Sequence, residues 1–335
     1  MKHYFFILIL LLAGYLPEVM GQNRNLSTSA KTLTYEEVYD NPYDINKLFI
    51  HLQPLYGEFS SLNVTAGFSI EAQYYVKNIL DFRGSARIPY ARRTDLVRNS
   101  ANANSTVDNE IKGYSFYELS GTYHIIDKEV DTETKFILYS KRYKGDKWAA
   151  TVPLHTIIPS KVRRIYGARL GGYFHKTGVY YNDLMDHQGV WISDSEGNPI
   201  SEDESIYGNL SVNGVFIGGS FTMIKNVAVQ PDKIYGTLVS DLIFTTYFDI
   251  LYAASTNLSD IFNDGLIYSS DPIQKSSLGF RIGMDGKFNR KFGWGYGAEL
   301  GSRPGLKKGG FYLLAKISFP IIGSQLRHQV ESFGK

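Results

Sequence analysis

The stretch L-N-V-T-A-G-F-S-I-E-A-Q-Y, Leu62–Tyr74, sets apolar against polar side chains at every step. Leu62, Val64, Ala66, Phe68, Ile70, Ala72 and Tyr74 share one face, and Asn63, Thr65, Gly67, Ser69, Glu71 and Gln73 share the other. Successive side chains of a strand point to opposite sides of a sheet, so this pattern specifies a strand with one apolar and one polar face. It is longer than the roughly 5–6 residues of an ordinary soluble strand and suits the roughly 9–11 residues that cross a bilayer at a tilt.

The same alternation recurs along the chain. Leu80, Phe82, Ala86 and Ile88 stand against Asp81, Arg83, Ser85 and Arg87. Leu278, Phe280, Ile282, Met284 and Phe288 stand against Gly279, Arg281, Gly283, Asp285 and Lys287. About twelve strands are expected over residues 47–320, among them Gly113–Ile126, Thr134–Tyr143, Trp148–Ile158, Val162–Lys176 and a long one at Ile234–Ala253. Turns are expected at Asp127–Glu133 and Pro159–Lys161, where the sequence is polar or carries proline. The long connections, Ala91–Lys112, Gly178–Gly208 and Ala254–Ser277, each join an odd strand to the next even one, so all leave from one end. Long loops at one end and short turns at the other are the pattern of a single antiparallel transmembrane β-barrel in an outer membrane.

Residues 1–21 read as a signal peptide: a basic start at Lys2, an apolar run over Phe5–Leu12, and the small residue Gly21 where a peptidase cuts. Residues 22–46 form a polar periplasmic leader, 47–320 the barrel, and 321–335 a periplasmic C-terminal tail. The chain has no cysteine, which excludes a disulfide scaffold and a cysteine-ligated metal. A net charge of +2 suggests no nucleic-acid partner. The 25 Tyr, 20 Phe and 32 Gly suit membrane interfaces and curved sheets respectively.

A soluble sandwich or lipocalin-type barrel also alternates, with its apolar face turned inward. Strand length and the aromatics near strand ends, such as Tyr74, Tyr90, Phe174 and Phe319, favour the membrane reading. The glycine–aromatic strands Gly214–Phe221 and Phe292–Gly297, the signal ending Gly21-Gln22 and the aromatic-ended strand Phe311–Phe319 resemble the porin-like outer-membrane β-barrels of Bacteroidota. That resemblance implies location and architecture and carries over no catalytic residues. The residues after Phe319 depart from it, since many such barrels stop at the final strand.

The polar faces converge on a presumed lumen. Glu71, Arg83, Arg87, Glu118, Arg169, Arg281, Asp285, Glu299 and Lys316 are the lumen-facing candidates, with Asp81, His124 and Lys287 beside them. They either line a water-filled path or fill a narrow interior with ion pairs, and about twelve strands lies between those limits. The acidic loop at 183–206 carries Asp183, Asp186, Asp194, Glu196, Glu202, Asp203 and Glu204, but lacks a complete calcium-loop motif. Ser120 and His124 share a strand face about 13 Å apart, too far for a catalytic pair. Arg92, Arg93 and Arg98 make a small basic patch. No enzymatic activity, cofactor or metal is expected. The expected function is a pore or small-solute transporter in contact with outer-membrane lipid. The alternative is a non-conducting barrel subunit that anchors or plugs a larger export or assembly complex of envelope proteins.

Overall fold

The computed structural model describes residues 35–61, 63–76, 78–90, 107–110, 113–138, 154–231, 237–289 and 293–323. Ten antiparallel strands close into a barrel: β1 (Leu48–Ser60), β2 (Val64–Val76), β3 (Leu80–Pro89), β4 (Ser115–Leu138), β5 (Leu154–Tyr180), β6 (Tyr207–Lys225), β7 (Leu242–Leu258), β8 (Leu278–Phe288), β9 (Gly295–Ser302) and β10 (Phe311–Gly323). Each strand pairs with its successor, and β10 pairs with β1 to complete the cylinder. The signal peptide, Arg92, Arg93, Arg98 and the tail from 324 onward lie outside the described residues.

The expectation of about twelve strands is corrected to ten. The turn placed at Asp127–Glu133 is absent, because β4 runs straight through it, with Glu129 opposite Arg163 and Thr132 opposite Ser160. The turn at Pro159–Lys161 is absent for the same reason. A polar run reads as a turn when it is in fact the wet face of a hairpin. Beyond Tyr123, β4 has lost its partner β3, and before Val162, β5 has no pairing with β6. Pro159 is tolerated on β5 because one edge of that strand is open there. Asp127 pairs with Arg163 at 2.5 Å and Glu129 with Lys161 at 3.0 Å, which accounts for the charge that suggested a turn. The predicted strand Ile234–Ala253 is likewise replaced by a short strand at Leu238–Ser240 and by β7.

The projecting hairpin is covered by a three-stranded sheet of Tyr35–Asp40, Val227–Pro231 and Leu238–Ser240. Part of the stretch read as a polar leader is therefore a strand. Phe136, Ile158, Val227 and Val229 are buried between them, with Leu238 packed alongside. Thr134 Oγ1 and Ser160 Oγ share a hydrogen bond of 2.7 Å. Phe136→Ala is expected to loosen this unit by about 3 kcal/mol. Amide exchange at Val227–Pro231 should then accelerate while exchange across β6–β8 stays as it was.

Along the ten strands the burial is inverted relative to a soluble protein. Leu119, Leu170, Ile217, Ile250, Leu278 and Ile282 point outward and are exposed, whereas Arg87, Arg169, Arg281, Asp249 and Glu299 are buried. The interior-polar, exterior-apolar alternation belongs to a barrel whose surroundings are themselves apolar. A lipocalin-type core would place these residues the other way round. Among the described residues no helix is long and apolar enough to cross a membrane, which says nothing about strands.

Candidate functional site: the barrel lumen

The alternation of each strand carries its polar residues to the inside, and the chain's one proline in β1 adjusts that alternation. The register slips between Gln53 and Tyr56, so both Pro54 and Leu55 face out. Proline donates no ladder hydrogen bond and is accommodated at such a bulge. The slip sends Tyr56 and Glu58 into the lumen.

Inside, charged groups meet across the full width of the barrel. Lys316 on β10 binds Glu71 on β2 at 2.8 Å and Asp285 on β8 at 2.7 Å. Arg83 on β3 binds the same two carboxylates at 2.9 Å and 2.6 Å. In a ring of ten strands β3 and β8 are opposite walls, so the Arg83–Asp285 pair spans the lumen. A second group lies nearer the long loops. Arg281 binds Asp249 at 2.7 Å, pairs closely with Glu118 and lies 3.9 Å from Glu299. Arg169 lies 3.3 Å from Asp249, and Arg87 3.7 Å from Glu299. Tyr247 and Tyr312 each donate a hydroxyl to Glu299, at 2.9 Å and 2.5 Å. Arg303 forks onto Glu58, which also accepts from Tyr114 at 2.9 Å.

Aromatic faces complete the cations' surroundings. Arg169 sits 4.0 Å over Tyr247, Arg281 4.3 Å over Phe216 and Arg303 3.8 Å over Tyr312. Guanidinium stacks on such rings while its fork engages carboxylates, which lysine does less well.

The lumen-facing candidates Glu71, Arg83, Arg87, Glu118, Arg169, Arg281, Asp285, Glu299 and Lys316 each enter one of these ion pairs. Asp81, His124 and Lys287 are beside them: His124 Nε2 lies 3.0 Å from Asp81, and Lys287 donates to Gln73. The sequence reading missed Glu58, Asp249 and Arg303. Glu58 is displaced by the bulge, and Arg303 follows the end of β9, where periodicity has stopped. Asp249 had a usable signal, a lone carboxylate between Phe248 and Ile250. Among the described residues the cations Arg83, Arg87, Arg169, Arg281, Lys287, Arg303 and Lys316 are matched in number by Glu58, Glu71, Asp81, Glu118, Asp249, Asp285 and Glu299. Among these residues the charges balance.

Apolar side chains cluster at both ends of the described barrel. Phe49, Tyr75, Ile165, Ile224 and Ile243 pack together where β1 begins. At the other end helix α1 (Tyr181–Gln188) buries Tyr181, Leu184 and Met185 against rim residues such as Val179, Leu210 and Leu251. Gly189 ends the helix at φ 68°, a left-handed position suited to glycine, and its N–H caps Met185 O. Burial pushes the Tyr181 hydroxyl above its ordinary range, and it donates to Ser259 O at 2.6 Å. Within the lumen a cavity of about 30 Å³ lies among Gln53, Glu71, Arg83, Asp285 and Lys316.

The other candidates do not assemble. Ser120 Oγ donates to Arg83 O at 3.4 Å while His124 is held by Asp81, so no nucleophile–base pair forms. The Asp194 carboxyl, held below its usual range by the Asn198 side-chain amide, also accepts from the backbone of Glu196 and Asn198. Among the described residues no group of three His, Asp or Glu side chains is arranged to hold a metal ion.

No protein-family model matches the chain, and no curated protein sequence does. Among solved structures it is similar to Pseudomonas putida OprB at 9% identity, over 76% of this chain and 59% of that one, with a TM-score of 0.19. The chain thus spans less than two thirds of the OprB chain. The P. putida toluene transporter TodX is 9% identical over 82% of this chain and 87% of its own, with a TM-score of 0.23. Vibrio cholerae OmpT is 7% identical over 84% and 100%, with a TM-score of 0.19. No residue role is carried over from any of them.

Proposed function

We propose that this chain is a non-conducting barrel of the bacterial outer membrane, serving as the membrane anchor of a larger envelope complex. The observation that carries the reading is the lumen itself. Among the described residues ion pairs join opposite walls, the paired charges balance, apolar clusters sit at both ends, and the cavity of about 30 Å³ between them has room for little more than a water or two. An eight-stranded barrel is ordinarily filled by its side chains, and ten strands is close to that limit. The outward apolar belt supports the membrane location. The β-structure beyond the barrel mouth supports anchoring, since it offers polar and edge surface outside the bilayer.

The test is electrical and biochemical. Purified, heat-modifiable protein in planar bilayers is expected to give no regular current steps from low to high salt. Extraction in gentle detergent is expected to bring down other envelope proteins in fixed proportion. Reproducible conductance steps would overturn the closed lumen, and a chain that always purifies alone would overturn the anchoring role.

A further inference from the structure

On the outer wall, β4–β8 carry a shallow, open groove of about 670 Å³ lined by Ile125, Ile126, Tyr166, Phe221, Phe248 and Ile282. Its floor is low because Gly219 faces outward there. A Cβ at that glycine would meet only Gly167 O, at 3.8 Å. Immediately toward the terminal end the same outward face turns basic. Lys128 and Arg164 are register partners, next to the pair Ile126–Tyr166. Lys225 is diagonal to Arg164, two residues beyond its partner Met223. Register partners stand about 5 Å apart and diagonal ones about 7–8 Å, so the three cations are spaced to share one phosphate. Among the described residues none of the three has a carboxylate partner, in contrast to the lumen, where every cation but Lys287 has one.

We infer that this groove and its basic rim form a binding site for one anionic glycerophospholipid, with an acyl chain along Gly219 and the phosphate held by Lys128, Arg164 and Lys225. The inference deepens the membrane reading above and rests on it. The charge argues for the occupant: an apolar trough ending in three clustered cations at the edge of a lipid belt matches a lipid with an acyl chain and a negative headgroup. A groove exposed to the bilayer is in any case filled by acyl chains, so the specific content of the claim is selection by headgroup.

Tyr166→Trp places a reporter in the groove wall. The full-length variant and the parent protein are inserted into vesicles of phosphatidylcholine containing either brominated phosphatidylglycerol or brominated phosphatidylcholine, and the difference between variant and parent isolates the reporter. Quenching is expected to show a relative affinity about fivefold or more higher for the anionic lipid, which salt reduces. Adding K128Q, R164Q and K225Q should bring the ratio to about one, and K128Q alone, at an exposed position, should lower it partway. Equal quenching by the two lipids in inserted protein would overturn the site alone. No quenching by either would overturn the membrane reading and the site together.

Discussion

Arg281→Ala is expected to destabilise the barrel by about 3–5 kcal/mol, the range for removing one partner of a buried charge pair. Arg281 binds Asp249 and Glu118 and lies near Glu299, and it is 2% exposed. Truncation leaves the Asp249, Glu118 and Glu299 carboxylates near one another, with Arg169 still beside Asp249 and Arg87 beside Glu299. It also removes the stacking contact on Phe216. Arg281→Met with Glu118→Gln removes charge from both sides and is expected to recover much of the loss. A buried pair replaced as a unit is often neutral, whereas a broken one is not. Urea unfolding followed by tryptophan fluorescence, alongside heat-modifiable migration, measures both variants. A cost for Arg281→Ala under about 1 kcal/mol would match a solvated surface pair. That result would mean water fills the lumen, and the closed-barrel reading would fall with it.

How far this arrangement could be read beforehand depends on the residue. The alternation at Leu62–Tyr74 and at Leu278–Phe288 was legible because a one-sided sheet imposes a period of two on every side chain. The lumen residues Glu71, Arg83, Arg281 and Asp285 follow directly from that period. Their partners do not, because Arg83 and Asp285 are 202 positions apart and meet only when the cylinder closes. Nor could the strand number be read. Asp127–Glu133 has the composition of a turn, and what keeps it extended is pairing with Pro159–Ile165 across the hairpin. The loop Gly178–Gly208 looked acidic and solvated. Tyr181, Leu184 and Met185 have helical spacing over a single short helix, and Ile192, Ile200 and Ile206 follow no short-range period, so the cap they build together was not legible.

Ile217→Arg separates the two architectures that sequence pattern leaves open. Ile217 is 63% exposed and lies between Leu170 on β5 and Ile250 on β7, both also outward and exposed. In a water-soluble barrel, arginine at so open a position is expected to change stability by no more than about 0.5 kcal/mol. In a lipid-facing belt the same substitution is expected to cost about 2–4 kcal/mol, most at mid-depth and less toward the rims. Glu133→Gln, on the wet hairpin outside the barrel, is the matched control and is expected to stay within about 0.5 kcal/mol. Refolding into vesicles with urea titration reads both. The contiguous exposure of Leu119, Leu170, Ile217, Ile250 and Ile282 far exceeds the scattered apolar surface of a soluble monomer, and lipid is the surrounding that makes it stable. A neutral Ile217→Arg in protein that stays dispersed without detergent would require that belt to face water, and neither the inverted burial nor the inward charges would then have a physical cause.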